Sequence, residues 1–170
     1  MQFRLAATDD LPKLQAMYQK IVERMHQNGI FVWDESYPCE FLGEDIANHR
    51  LYLLSGETGE PLAAFALCAP SGSAEDLLWP HHCNNALYLE RLGVSPSAFR
   101  LGIGGALLTH AAAAAAEKGA DCLRLFVVDS NLPAINFYLK NGFCQADGIH
   151  LEQIDEELTL KEYGFEKEVS

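Results

Sequence analysis

The chain has 170 residues, 49% of them hydrophobic, and this size predicts one domain spanning residues 1–170 around its own apolar core. No basic segment followed by an apolar one opens the sequence, and no apolar run could span a bilayer, so we expect a cytoplasmic protein without a membrane partner. A net charge of −12 argues against nucleic acid as a partner, because that binding neutralises phosphates with Lys and Arg. The acidity fits either a cationic partner or simple solubility.

The cysteines are odd in number, widely spaced and without a Cys-x-x-Cys pair: Cys39, Cys68, Cys83, Cys122 and Cys144. This pattern argues against a disulfide framework and predicts reduced, mostly buried thiols. His81 and His82 precede Cys83, but adjacent residues seldom bind the same ion, so we predict no metal site.

The first half of the chain contains one long helical pattern after a short apolar run. Residues 2–7 predict a strand, and Thr8-Asp9-Asp10 followed by Pro12 predicts the start of a helix. Apolar residues at helical spacing give this helix one buried face, which should end near Asn28-Gly29: Leu11, Leu14, Tyr18, Ile21 and Met25.

A loop, a second helix and a hairpin are predicted next. Residues 30–38 lack a helical period and predict the loop, and residues 39–49 predict the helix. Three apolar side chains of this helix are predicted to be buried: Phe41, Leu42 and Ile46. Residues 51–54 and 62–67 predict the hairpin, which 70–76 should end.

The second half alternates strands and helices. Strands are predicted at 86–94, at 123–128, from 143 onward and at 158–165, with an irregular loop at 79–85 and an acidic break at 152–157. A long alanine-rich helix should run to about Gly119, and a short one should run from 130 to Asn141-Gly142. The order β-α-α-β-β-β-α-β-α-β-β is compatible with several α/β folds.

A glycine-rich turn joins the predicted strand 86–94 to the long helix. Gly102-Ile103-Gly104-Gly105 opens that helix, where backbone N–H groups have no helical partner and the helix dipole favours an anion. The turn therefore predicts a phosphate site. A nucleoside triphosphate loop would need Gly-Lys-Ser/Thr, and a dinucleotide fingerprint would need glycine at Leu107, so both are excluded.

The turn resembles that of the GNAT superfamily of acyl-CoA-dependent N-acyltransferases, whose pattern is Arg/Gln-x-x-Gly-x-Gly/Ala. Gly102 and Gly104 match it, whereas Phe99 occupies the first position and Arg100 lies one place later. The resemblance implies that backbone amides hold the coenzyme pyrophosphate and that the preceding strand binds pantetheine. The implied coenzyme residues are Leu92, Gly93, Val94, Arg100, Leu101, Gly102, Ile103, Gly104 and Gly105.

A second segment strengthens the resemblance. The residues from Asn131 to Phe143 match every named position of the family pattern Asn-x-x-Ala-x-x-Phe-Tyr-x-x-x-Gly-Phe. The family roles are a hydrogen bond from Asn131 near pantetheine and a proton donated by Tyr138 to the departing thiolate. A phenol with a pKa near 10 is protonated at neutral pH and can donate, and beside the glycine turn this role is favoured over the alternative of a core tyrosine.

An amine that attacks a thioester must lose a proton, so a base is needed. Glu90 is the best-placed carboxylate because it lies in the strand before the turn, where Leu87 and Leu89 alternate with Tyr88 and Glu90. The family often carries a base on this strand. Glu90 could instead be a solvated residue or an ion-pair partner of Arg91 or Arg100, with a water chain as the route for the proton.

The predicted loop 30–38 carries the candidate acceptor residues Trp33, Asp34, Glu35 and Tyr37. Aromatic rings beside carboxylates suit an ammonium group through charge and cation–π attraction. In similar proteins this connection borders the acceptor pocket. The alternative is that Trp33 and Tyr37 anchor the loop while the acids face water.

The resemblance covers almost the whole chain and implies an α/β (α+β) domain, with a mixed sheet of about seven strands flanked by about four helices. It implies an N-acetyltransferase that moves acetyl directly from acetyl-CoA, its co-substrate, to a primary amine of a small molecule, without a metal. A non-catalytic acyl-CoA-binding module and an acetyltransferase acting on protein N-termini or lysines remain alternatives. A homodimer is also left open.

Overall fold

The computed structural model describes residues 1–71 and 76–169, so most of the predicted break at 70–76 lies outside the described residues. The chain forms two compact units. The first consists of Met1–Cys68 and Leu89–Ala111, and the second of Ala69–Tyr88 and Ala112–Ser170.

Eight strands are present in the described residues: β1 Gln2–Leu5, β2 Leu51–Ser55, β3 Pro61–Cys68, β4 Ala86–Val94, β5 Cys122–Val128, β6 Cys144–Gln145, β7 His150–Gln153 and β8 Thr159–Glu168. The α-helices in the same residues are α1 Leu11–Gln27, α2 Leu42–Ala47, α3 Ile103–Glu117 and α4 Leu132–Lys140. None of the helices in the described parts of the chain is long and apolar enough to cross a membrane.

The strands follow the order β1-β2-β3-β4-β5-β8-β6, with β7 paired to β8. The β4–β5 pair is parallel, whereas β1–β2, β2–β3 and β5–β8 are antiparallel, so the sheet is mixed as predicted. The predicted closing pair of strands is three strands, because the segment after Phe143 forms both β6 and β7 along β8.

The first unit has its core under α1. Leu14, Tyr18 and Ile21 are buried, which confirms the predicted helix face, and Asn28 ends the helix before Gly29 at φ 76°. A Cβ atom at Gly93 would lie 2.8 Å from Ile21 Cδ1 and 2.9 Å from Tyr18 Cε1. Glycine at this place in β4 therefore allows α1 to pack closely on the strand.

The second predicted helix is shorter than expected. A 3-10 turn at Cys39–Phe41 leads into α2, which stops at Ala47. Leu42 and Ile46 are buried as predicted, but Phe41 is 42% exposed, because it belongs to the 3-10 turn rather than to the apolar face of the α-helix.

The second unit has an aromatic cluster around β5. Phe126 lies 5.7 Å from Tyr88, 6.0 Å from Trp79 and 4.6 Å from His150, measured between ring centroids. The predicted short helix before Asn141-Gly142 is confirmed as α4. It begins after Asn131 and ends before Asn141-Gly142, with Gly142 at φ 86°.

The cysteines differ from the prediction of reduced and mostly buried thiols. Cys83 and Cys122 form a disulfide with Cα atoms 6.0 Å apart. The prediction failed because Cys83 lies just before β4 and Cys122 begins β5, whose parallel pairing brings residues far apart in sequence together. Cys39 and Cys68 are free and buried, whereas Cys144 is free and exposed.

Candidate active site

The strand β4 carries the candidate base and is irregular. Tyr88 and Leu89 are both buried, so burial along β4 does not follow the alternation of Leu87 and Leu89 with Tyr88 and Glu90 in the sequence. Arg91 has φ 54°, a left-handed conformation that a regular strand does not contain. The Arg91 side chain is buried, while the Glu90 side chain is 36% exposed.

The glycine turn has the geometry that an anion site requires. A 3-10 turn at Pro96–Leu101 ends at Gly102, whose φ of 64° redirects the chain into α3 at Ile103. A Cβ atom at Gly102 would meet nothing within 4 Å, so its left-handed φ, rather than crowding, favours glycine. The N–H groups of Ile103, Gly104 and Gly105 lie in the first helical turn, where they have no intrahelical partner.

Positive charge lies beside this turn in the first unit. Arg100 and Leu101 are exposed at its surface. Phe99, which stands where the family pattern has Arg or Gln, is 48% exposed, and the Arg24 guanidinium lies 5.5 Å from its ring centroid. The helix α1 thus supplies a cation next to the departure from the pattern, a contact that sequence spacing could not reveal.

The end of β4 presents two kinds of residue to its surroundings. Gly93 is buried against α1, whereas Leu92 and Val94 are half-buried. Because alternate residues of a strand point to opposite faces, Leu92 and Val94 lie on the face opposite Gly93.

The helix α4 positions the other two predicted coenzyme residues within the second unit. Asn131 is the N-cap, and its Oδ1 accepts a hydrogen bond of 3.4 Å from the N–H of Ala134. Tyr138 is 8% exposed and packs against the rings of Phe137, Phe143 and Phe165. The two predicted residues therefore share this helix, although Asn131 also stabilises its N-terminus.

The Tyr138 hydroxyl has no hydrogen-bond partner among the described residues. In the same residues no buried side-chain oxygen lacks a partner, so this hydroxyl keeps some contact with solvent. Burial raises the pKa of Tyr138 and keeps the phenol protonated at neutral pH. A protonated phenol without a protein acceptor is available to donate to a ligand.

Glu90 lies at the end of a chain of ion pairs in the first unit. Arg91 Nη1 lies 2.9 Å from Glu90 Oε2, and its Nε and Nη2 bind the two oxygens of Asp45 at 2.7 and 2.8 Å. Asp45 is fully buried and also accepts from Arg50 Nε at 2.6 Å. The ion pair with Arg91, one of the alternatives for Glu90, is therefore present, and Glu90 Oε1 has no partner in the part of the chain that the structure describes.

The aromatic candidates of the acceptor loop lie beside this network. The Tyr37 ring is 6.2 Å from Trp33 and 5.2 Å from Phe41, and the Arg91 guanidinium lies 5.4 Å from the Phe41 centroid. Burial raises the pKa of the Tyr37 phenol, and the charge of Arg91 opposes this rise. The structure thus places Trp33 and Tyr37 in one aromatic group with Phe41, the ring that contacts Arg91.

The acidic candidates of the loop have different roles. Asp34 Oδ1 accepts hydrogen bonds of 2.8 Å from the N–H groups of Ser36 and Tyr37, which hold the pKa of this carboxyl below its usual range. Glu35 is exposed. Trp33 packs against the core of the first unit, as the anchoring alternative predicted.

The sequence matches the profile of the acetyltransferase (GNAT) family over residues 14–143. The chain belongs to this family. The match covers the glycine turn and α4 together with the acceptor loop, which confirms the resemblance inferred from the two motifs.

One curated relative of this GNAT protein is similar to it over part of the chain. Over 101 residues the chain is 42% identical to the streptothricin acetyltransferase of Streptomyces lavendulae, covering 59% of this chain and 47% of the relative. The chain thus spans about half the length of the curated relative it matches.

Solved structures share the fold at low sequence identity. A GNAT-family acetyltransferase from Streptococcus agalactiae has a TM-score of 0.79 and 14% identity, covering 99% of this chain and 95% of the other. The ribosomal-protein-S18-alanine N-acetyltransferase of Escherichia coli has a TM-score of 0.65 and 21% identity, covering 99% and 94%. These similarities establish the predicted fold and do not select an acceptor.

Sequence reasoning missed or misplaced three residues around the candidate base: Arg91, Asp45 and Phe41. The sequence predicts Arg91 only as an ion-pair partner of Glu90, and it predicts a buried Phe41. No sequence pattern singles out Asp45. Asp45 lies one residue before the buried Ile46 on the same short helix, and this position is the one sequence feature that favours its burial. A carboxylate in such a helix is normally exposed, so the feature is weak.

Proposed function

We propose that this GNAT protein transfers an acetyl group from acetyl-CoA to a primary amine of a small molecule, in a ternary complex without an acyl-enzyme. The observation that carries the proposal is the glycine turn, where a left-handed Gly102 leads into the unpartnered N–H groups of α3. Such groups bind phosphate oxygens, and acetyl-CoA carries a pyrophosphate.

The residues present fit the coenzyme. The N–H groups of Ile103, Gly104 and Gly105 and the guanidinium of Arg100 would hold the pyrophosphate. The main-chain groups of Leu92 and Val94 and the amide of Asn131 would hold the pantetheine arm. When bound, acetyl-CoA supplies the thioester carbonyl that the amine attacks.

Two side chains would move the protons. Glu90 would accept the proton that the amine loses as its nitrogen bonds to the carbonyl carbon, since Glu90 Oε1 has no partner among the described residues and the Glu90 side chain is 36% exposed. Tyr138 would donate its phenolic proton to the sulfur as the carbon–sulfur bond breaks, since its hydroxyl is protonated and has no partner there.

A cationic amine is the acceptor that the charges favour. The ring centroids of Trp33 and Tyr37 lie 6.2 Å apart, and Glu35 adds an exposed carboxylate to the same loop, so the loop would attract an ammonium group. The similarity to streptothricin acetyltransferase supports a small-molecule acceptor.

Calorimetric titration with acetyl-CoA, with desulfo-CoA and ATP as controls, tests the coenzyme. Gly104→Leu should weaken acetyl-CoA binding by at least about 10-fold because a side chain enters the phosphate site. Ala106→Leu, two residues later at an exposed position of α3, is the matched control and should bind normally.

Kinetics with streptothricin and a panel of cationic primary amines test the transfer itself. Tyr138→Phe should lower kcat by about 100-fold while acetyl-CoA binding is unchanged, because only the proton donor is lost. Absence of acetyl-CoA binding would overturn the proposal. Binding without transfer to any amine would favour the non-catalytic alternative, and transfer only to peptides would favour a protein acetyltransferase.

A further inference from the structure

We infer that Arg91 is a positioning residue that fixes the acceptor ring Tyr37 and the base Glu90 relative to each other. The inference rests on the proposed function and deepens it, because it names the residue on which the amine side of the site depends.

The geometry around Arg91 leaves its guanidinium no freedom. Its side chain is 4% exposed, and Asp45 holds it through two hydrogen bonds of 2.7 and 2.8 Å. This fork geometry is specific to arginine, because a lysine ammonium cannot present two parallel N–H groups to one carboxylate.

The backbone of Arg91 is fixed as well. Its carbonyl accepts a hydrogen bond from the buried hydroxyl of Tyr18 on α1, and its φ of 54° is an uncommon value for a side chain of this size. A strained conformation persists where several contacts determine it together. Both ends of Arg91 are therefore anchored in the core of the first unit.

The remaining contacts of the guanidinium are a hydrogen bond to Cys68 Sγ at 3.5 Å and contacts with the candidate base and with an aromatic ring beside the acceptor loop. Nη1 binds Glu90 at 2.9 Å, and the guanidinium lies 5.4 Å from the Phe41 ring centroid, which in turn lies 5.2 Å from the Tyr37 ring centroid. A rigid cation that binds Glu90 and also packs on the ring beside Tyr37 sets the distance between Glu90 and Tyr37.

Arg50 provides a matched control. It also binds Asp45, with Nε 2.6 Å from Oδ1, but its other ion pair goes to Glu44, and among the described residues it forms no hydrogen bond or ion pair with Glu90 or Tyr37. We call the ion pairs that join Asp45 to Arg50, to Arg91 and through Arg91 to Glu90 the Asp45 network. If this network were purely structural, the two arginines would be equivalent. A positioning role concerns Arg91 alone.

The test compares Arg91→Lys with Arg50→Lys. We expect Arg91→Lys to lower kcat by about 10- to 100-fold and to raise the KM for the amine, because a small displacement of reacting groups has effects of this size. The KM for acetyl-CoA should not change in either variant, and Arg50→Lys should keep all kinetic constants. Equal kinetics of the two variants would contradict the positioning role.

A double-mutant cycle with Glu90→Gln separates positioning from a general loss of structure. If Arg91 acts through Glu90, most of the kcat effect of Arg91→Lys disappears in the Glu90→Gln background. Additive effects would overturn the inference.

A second measurement does not need turnover. The near-ultraviolet circular dichroism of Trp33 and Tyr37 should change in Arg91→Lys and not in Arg50→Lys. An inactive wild-type protein would refute the proposed function alone, whereas an unchanged spectrum of Arg91→Lys would refute the positioning role.

Discussion

Among the residues that the structure describes, each of the two compact units contains one fully buried carboxylate, and the two are neutralised differently. Asp45 in the first unit is shared by Arg91 and Arg50. Glu166 in the second unit accepts from Arg124 Nε at 2.6 Å and from the backbone N–H of His81 at 2.8 Å. Both arrangements satisfy a buried charge, which would otherwise be very costly.

The difference lies in where each network ends. The Asp45 network continues through Arg91 to Glu90, which is accessible and has a free oxygen among the described residues. In the Glu166 network, Arg124 lies 4.3 Å from the Trp79 ring centroid, and His81 belongs to the loop before β4. The first network can therefore act on a ligand, whereas the second holds a loop against the sheet.

Neutralising each carboxylate should test this difference most strongly. Asp45→Asn and Glu166→Gln should each lower the free energy of unfolding by up to about 5 kcal/mol, because each removes the buried negative charge from an arginine–carboxylate network. At a temperature where both variants are folded, Asp45→Asn should also lower kcat for amine acetylation, whereas Glu166→Gln should not. Urea unfolding and steady-state kinetics measure the two effects, and an equal loss of kcat would remove the distinction.

The fold was predictable from local patterns, but the two networks were not. Helical spacing from Leu11 to Met25 placed α1, and glycines marked the turn and the end of α4. Arg124 and Glu166 face each other across β5 and β8, a cross-strand register that no local pattern contains.

The candidate site was predictable in part for a similar reason. The turn residues are contiguous, so their sequence specifies the local geometry. The contact of Arg91 with Asp45 joins positions separated by 46 residues, and the conformation of Arg91 is one that its residue type does not favour. Such long-range contacts follow from tertiary packing and have no signature in one sequence.

The disulfide adds a second constraint to the loop that Glu166 holds, and its reduction should have the next largest effect. Cys83 and Cys122 are separated by 39 residues, and closing a loop of this length stabilises a protein by roughly 2–4 kcal/mol. Reduction should therefore lower the melting temperature by about 5–15 °C. The double variant Cys83→Ser/Cys122→Ser should melt like the reduced protein and no longer respond to the reductant.

Cys144→Ser is the matched control for this prediction, since Cys144 is exposed and free. It should melt like the wild type in both redox states. A thiol assay of the unfolded, unreduced protein should find the three free cysteines, and five would contradict the disulfide.

A smaller effect should distinguish the two units by pH. The Asp45 network contains only arginines and carboxylates, whereas His150 in the second unit lies 3.2 Å from Asp76 and 3.3 Å from Glu152 and opposite Glu162 on β8. Burial alone would lower the pKa of His150, but its hydrogen bonds to Asp76 and Glu152 outweigh this and raise it. His150 is therefore more strongly protonated in the folded than in the unfolded chain.

The sign of the pH dependence follows from this raised pKa. The stabilisation by charged His150 is complete below the unfolded pKa of about 6.5 and is lost as the pH rises through the higher folded value. Because two of the partners are exposed, the loss should stay below about 1 kcal/mol. Urea unfolding between about pH 6 and 9 should show this fall in the wild type and not in His150→Gln. A fall of equal size in both would place the titrating group elsewhere, and a rise would contradict the raised pKa.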